Sequence, residues 1–256
     1  MTDQATIDAG TDRIYDDTQA YETVLSYAPL QFLEDFIGAG HSAGLPAMGS
    51  PVAGYPWVKK IVGSGPPTAA LVSNAAGGQA ALTLVSTSEK EEATLTWNDN
   101  LSLDETKKLN IEIRAALSVP PSASGVQAVW GLAQAWIDGP ANNARYLQFG
   151  VTANNALLLL SKDGINTYSI AAAYLATPTT QITLDTNFHM FRIDSSNPAD
   201  IGFYVDGARV NAVGSITWSA TAANSIMQPY LSVYKPSGAG LATLTIDKVD
   251  IWGSRQ

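Results

Sequence analysis

The chain has no cysteine, which excludes disulfides and thiolate-bound metals alike. It has only two histidines, His41 and His189, and no paired spacing of the kind that imidazole metal sites use. Charge is scarce too. Asp, Glu, Lys and Arg make up 14% of the residues, against roughly 25% in an ordinary soluble domain. Bases are the rarer sign, 14 against 23 acids, for a net charge of −9. Phosphate binding needs a basic footprint, so nucleic acid is not an expected partner. No apolar run reads as a membrane span: the charge-free apolar stretch 119–137 contains Pro120, Pro121, two serines and two glutamines. The first ten residues, MTDQATIDAG, lack a basic start followed by an apolar core, so no secretory signal is expected.

What is present is apolar and irregularly charged. Apolar residues make up 46% of 256, enough for a substantial core, since a chain of this size buries about 70–75% of its unfolded surface. With so few charges left to coat the outside, a surface covered by neighbours is favoured, although Ser, Thr, Asn and Gln can solvate it instead. The acids cluster at one end. Residues 1–36 carry eight acids and only Arg13, a net of −7, whereas the remaining chain is nearly balanced. Such a segment suits a basic protein surface or stays solvated.

Residues 1–29 form an acidic arm with one helical signature, YDDTQAYETVLSYAP. Asp16 can cap, Gln19 takes the reciprocal capping-box position, and Tyr15 can staple onto Ala20. Tyr21, Val24 and Leu25 then share a helical face, and Pro29 stops the run. A helix of about three turns is marginal alone in water, so that face needs its own domain or a partner to lie on. Candidate partner-interface residues are Tyr15, Tyr21, Val24, Leu25 and Tyr27.

From Leu30 to the end the period is two, one domain over 30–256. LNIEIRAAL alternates Leu109, Ile111, Ile113, Ala115 and Leu117 against polar neighbours, the mark of a half-buried strand. ATLTW does the same through Ala93, Leu95 and Trp97. VQAVWGLAQAWI is apolar on both faces, as expected of a strand between layers. More than ten such runs are punctuated by Gly, Pro, Asn and Asp, which means a sandwich or barrel. In GFYVDGARV, Asp206-Gly207 predicts a type I′ hairpin with Val205 opposite Ala208 and Phe203 opposite Val210. In LATLTIDKVDIW the apolar register shifts at Asp247-Lys248, where a bulge is expected.

The order NFHMFRID, IGFYVDGARV, QPYLSVYK, LTIDKVDIW resembles the closing strands of concanavalin A-like (laminin-G-like) jelly rolls, and LTLVSTSEKEEATLTWNDNLSLDETKKLNIEIRAAL resembles their upstream part. The combination, over residues 30–252, is similar to capsid decoration (cement) proteins of tailed bacteriophages. That resemblance implies an all-β jelly-roll sandwich behind the arm, a non-enzymatic homotrimer on the capsid surface of the virion, and the major capsid protein as partner. The alternative is a carbohydrate-binding jelly roll recognising glycans, with a glycan-cleaving enzyme as a weaker third.

Catalytic candidates are few. Jelly-roll glucanases carry their carboxylates as E-x-D-x-E on one strand, and this chain has no such triplet. Glu34 and Asp35 are adjacent and point to opposite faces; Glu112 and Arg114 read as a same-face ion pair. SEKEEA reads as a solvated charge run. His41 sits in a Gly-rich loop, and His189 alternates with Phe191 and Ile193 as a hydrogen-bonded core histidine. Trp97, Trp130 and Trp252 read as core; Trp57, Trp136 and Trp218 lie beside turns and are surface candidates for stacking a sugar or anchoring an interface. Asp138, Asn142 and Asn143 in DGPANN are the imaginable calcium ligands. No catalytic residue, cofactor or metal is expected.

Overall fold

The computed structural model describes residues 5–8, 11–16, 22–25, 30–37, 44–48, 50, 55–99, 101–153, 155–175, 180–219 and 226–254. Among them there is no α-helix; a single 3-10 turn spans Pro140–Asn142. Two eight-stranded sheets hold the core between them.

The first sheet runs, in spatial order, β17 (Ala208–Arg209), β16 (Gly202–Val205), β15 (His189–Asp194), β10 (Asn110–Val119), β19 (Thr243–Gly253), β7 (Ala80–Thr83) and β6 (Thr68–Leu71), with β4 (Leu30–Glu34) also on β19. The second runs β14 (Thr167–Ala171), β13 (Leu157–Lys162), β12 (Tyr146–Thr152), β11 (Gln127–Ala133), β18 (Ile226–Lys235), β8 (Glu91–Thr96) and β5 (Val58–Val62), with the two-residue β9 (Leu103–Asp104) on β18. All pairings between named strands of these sheets are antiparallel. Neighbours along a sheet are often far apart in sequence, as in the β10–β19 and β11–β18 pairs, which is the connectivity of a jelly roll rather than a meander.

Alternation decides which side chains meet. Ile111 and Ile113 of the first sheet and Trp130 and Phe149 of the second are all at most 2% exposed. Trp130 meets Phe191 edge-on at 4.8 Å between ring centroids, and Phe149 meets Phe203 at 5.1 Å. These contacts cross from sheet to sheet, and aromatic pairs in such edge geometry add about 0.5–1.5 kcal/mol beyond their buried area. A second aromatic group, Phe32, Phe36, Trp57 and Trp97, fills the end under β4.

The hairpin forms in the expected register: Val205 pairs with Ala208, Tyr204 with Arg209, and the Val210 amide donates to the Phe203 carbonyl at 2.8 Å. Asp206 and Gly207 have φ of 49° and 77°, both in the left-handed region that a type I′ turn requires. A β-branched residue resists that region, so Gly207→Val is expected to cost roughly 1–3 kcal/mol. Equal melting temperatures for mutant and parent would refute the turn assignment. The bulge falls where the apolar register shifts: Arg114 pairs with Lys248 but Ala115 with Ile246, leaving Asp247 as the extra residue.

The arm differs from expectation. Glu22–Leu25 is a strand (β3), hydrogen-bonded to β2 (Thr11–Asp16), which pairs in turn with β1 (Ala5–Asp8). The helix over this segment is therefore not formed. Pairing Ile14 with Val24 and Tyr15 with Thr23 satisfies backbone groups between segments, whereas a three-turn helix would be marginal by itself, and β-branched residues favour strands. Val24 and Leu25 both lie on this strand, so the helical face expected of them is absent. Tyr21 and Tyr27 lie outside the described residues.

Candidate functional site

The outer side of the second sheet, turned away from the core, holds the chemistry. Strand register places Thr96, Tyr230, Gly131, Gln148, Leu160 and Ser169 in one row across it. The next row reads Thr94, Ser232, Val129, Gly150 and Leu158. A solvent-facing sheet is expected to carry such polar residues, yet Thr94, Thr96, Tyr230 and Ser232 are all fully buried.

The cover is the connection from β11 to β12, residues 134–145, which folds back over β18 and β8 as a strap. One carboxylate holds it. Glu92 of β8 accepts from the Trp136 indole N–H at 3.0 Å and from the Gly139 amide at 2.8 Å, both on the strap. It also accepts from the Thr94 hydroxyl at 2.7 Å and the Tyr230 hydroxyl at 3.1 Å. Burial raises the Glu92 pKa, although all four donors oppose the rise. At its margins the strap is tied by Lys90 to Asp138 (2.5 Å) and by the Lys60 ammonium over the Trp136 ring (4.6 Å).

Beside the strap the outer face opens into a cavity of about 270 Å³, lined by β11, β12, β13 and β14 and by Pro140 and Ala141 of the strap. Gly150 leaves room there: a Cβ at that position would lie 2.6 Å from the Leu160 Cδ1. Gln148 lines the cavity, is 1% exposed, and its amide nitrogen has no hydrogen-bond partner in the protein. A buried unpartnered donor costs about 1–3 kcal/mol, so this nitrogen calls for an acceptor that the chain does not supply.

The sequence candidates fall elsewhere. Among the strands of the second sheet, β8 and the short β9 carry the only carboxylates, and Glu92 is the one on the outer face of the sheet body. SEKEEA is solvated only in its first half: Ser88 and Lys90 are exposed, whereas Glu91 and Glu92 are both fully buried. Glu91 meets Lys235 at 3.3 Å, with neither side chain exposed. Glu112 is on the opposite sheet, across from Arg192 and Asp250, and Arg114 binds the bulge residue Asp247 at 2.5 Å. The bulge brings the Asp247 carboxylate directly to the Arg114 guanidinium. Glu34 accepts from the Trp57 indole at 3.1 Å.

Trp57 and Trp218 are buried, not surface residues, at 0% and 4% exposure; Trp136 alone of the six is only partly covered. Trp57 packs among Phe32, Phe36 and Trp97, and turn adjacency in sequence says nothing about that. Asp138, Asn142 and Asn143 serve the strap: Asn142 donates to the Asp138 carbonyl at 2.7 Å and Asn143 to the Pro140 carbonyl at 3.4 Å. Among the described residues no three His, Asp or Glu side chains converge as metal ligands. His189 is bracketed by Asp206 at 2.7 Å and Asp185 at 3.1 Å, which raises its pKa, the Asp206 hydrogen bond most strongly. His41 lies outside the described residues. Nothing in the sequence singles out Gln148 or Glu92, since neither spacing nor composition distinguishes them.

No protein-family model and no curated protein matches the sequence. Solved structures do match. LamAcat from Zobellia galactanivorans is 16% identical with a TM-score of 0.53, covering 86% of this chain and 96% of its own. A β-1,3-glucanase from Mycobacterium marinum is 14% identical with a TM-score of 0.55, covering 89% and 100%. The carbohydrate recognition domain of Emp46p, in its potassium-bound form, is 10% identical with a TM-score of 0.50, covering 78% and 90%. At these identities the likeness is one of fold: the body is a concanavalin A-like jelly-roll sandwich.

Proposed function

We propose that this jelly roll is a glycan-binding module without catalytic activity, and that the groove beside the strap is its binding site. The observation that carries the reading is the Gln148 amide nitrogen, buried and unpartnered in a cavity of about 270 Å³. That volume is near the lower end of small-molecule sites, roughly 300–1,000 Å³. Tyr146 and the apolar Val129, Leu158 and Leu160 offer surface for the nonpolar face of a sugar ring, while Gln127, Gln148 and Ser169 offer hydrogen bonds to hydroxyls.

Binding is favoured over cleavage by the strand chemistry. Glycoside hydrolysis uses two carboxyls flanking the bond, about 5–5.5 Å apart for retention. The strands of this sheet place one, Glu92, on the outer face, and both its oxygens are occupied by the strap and its neighbours. Purified protein is expected to retain glycans on an array and to release no reducing sugar from polysaccharides. Reproducible turnover abolished by Glu92→Gln would refute the non-catalytic half; no retention of any glycan would refute the other.

A second reading, attachment to a phage capsid, is supported by the net charge of −7 over residues 1–36 and by the separate three-stranded sheet of the arm. On this reading the chain sits on the virion surface, as a trimer, with the acidic arm against the major capsid protein. Copy number on undecorated heads, for the full chain and for one lacking residues 1–29, decides it: failure of the full chain to attach overturns it.

A further inference from the structure

The lining of the groove is uncharged throughout. None of its twelve residues is acidic or basic. Lys162, directly across from Tyr146 on β13, is the next residue outward from Leu160 on that face, and it stands beyond the lining. A charged group brought into such a site loses its hydration without gaining a counter-ion, which is strongly unfavourable. A hydroxyl or ring oxygen, by contrast, can accept from the Gln148 amide nitrogen at no such cost.

The groove is also closed at one end. Pro140 and Ala141 of the strap line it, and just before them in the chain Trp136 and Gly139 are held on Glu92 of β8. A polymer lying across the whole sheet would have to pass through the strap. The opposite end reaches Ser169 on the edge strand β14, which is exposed.

We infer that the groove takes the uncharged end of a glycan chain, one or two rings entering from the β14 edge, with an acceptor of the terminal ring on Gln148. This rests on the groove being a glycan site. Glu92 acts here as a positioning residue, because it fixes the wall that ends the groove.

The test is calorimetric titration of the full chain with neutral hexose oligomers of one to six rings and with uronate oligomers of the same lengths. Affinity for the neutral series should rise to two rings and then stay level, and uronates should bind at least ten-fold more weakly. Gln148→Leu should lower neutral binding at least ten-fold without lowering the melting temperature, since it removes a buried unpartnered group. Ser169→Trp, at an exposed position, should block entry and lower binding similarly. Equal affinity for uronates, affinity climbing through six rings, or parent-like binding by both variants would overturn the inference while leaving glycan binding intact. Binding of neither series would overturn both.

Discussion

Glu105→Gln should flatten the pH dependence of stability between about pH 5 and 8, and should leave the protein more stable than its parent at pH 8. Glu105 is fully buried, and neither carboxyl oxygen has a hydrogen-bond partner. Ser195 stands beside it, but its hydroxyl donates to the Leu109 carbonyl at 2.7 Å. Burial, with Asp104 and Asp163 adding repulsion, pushes the carboxyl up to about 8 from 4.5. The folded protein thus keeps a proton that the unfolded chain releases above about pH 4.5. Stability from this group is greatest below the unfolded value and falls as pH rises towards 8, the folded value, beyond which the penalty is constant. Each tenfold difference in proton affinity between the folded and unfolded chain is worth about 1.4 kcal/mol. Allowing for the cost of a buried amide, the gain at pH 8 is on the order of 2 kcal/mol. Denaturant titrations of parent and variant across this range measure it. His189, with its raised pKa, also favours lower pH, so the difference between the two proteins, not the parent's slope, isolates Glu105. Parallel slopes would refute the buried, proton-holding carboxyl.

Lys235→Met should be the most damaging single change at the sheet end, about 3–5 kcal/mol, the usual cost of leaving a buried charge without its partner. Lys235 and Glu91 are both fully buried, 3.3 Å apart. The ammonium also donates to the Val85 and Thr87 carbonyls at 2.6 and 2.7 Å, and Glu91 accepts from the Val85 amide at 2.9 Å and from the Thr87 hydroxyl. One ion pair therefore organises the turn that leads into β8, and so the strand that carries Glu92. Lys235→Met combined with Glu91→Leu should recover much of the loss, because replacing both partners removes the stranded charge. Additive losses in the double variant would show the two residues to be energetically independent.

Both sites lie in stretches whose residue order conceals what the folded chain does with them. SEKEEA looks solvated because its charges are consecutive, but a strand sends Glu91 and Glu92 to opposite faces. Each then finds a buried partner set: Lys235 for one, and the strap with Tyr230 for the other. Glu105, in LDETKKLN, gives no signal at all, since a carboxyl without partners looks like any other in sequence. Trp57 misleads for a similar reason. Its place near a turn suggests exposure, yet its indole N–H donates to Glu34 and three aromatic rings pack against it.

Local sequence is enough to dictate the all-β sandwich, its alternating core residues Ile111, Ile113, Leu95 and Trp97, the Asp206-Gly207 turn and the bulge at Asp247. Those features depend on side-chain period and backbone dihedrals, which neighbours within a few residues set. Where a short helix and paired strands compete for Tyr15, Asp16 and Glu22–Leu25, local signals are nearly balanced, and strand pairing decides. The strap, the groove and the roles of Glu92 and Gln148 belong to tertiary structure alone. Tyr230 meets Glu92 across 138 positions and Lys235 meets Val85 across 150, and the Gln148 amide nitrogen is left without a partner only once four strands and the strap have closed around it. No local pattern encodes such contacts, because the free energy of a buried polar group is set by what the folded chain brings to it.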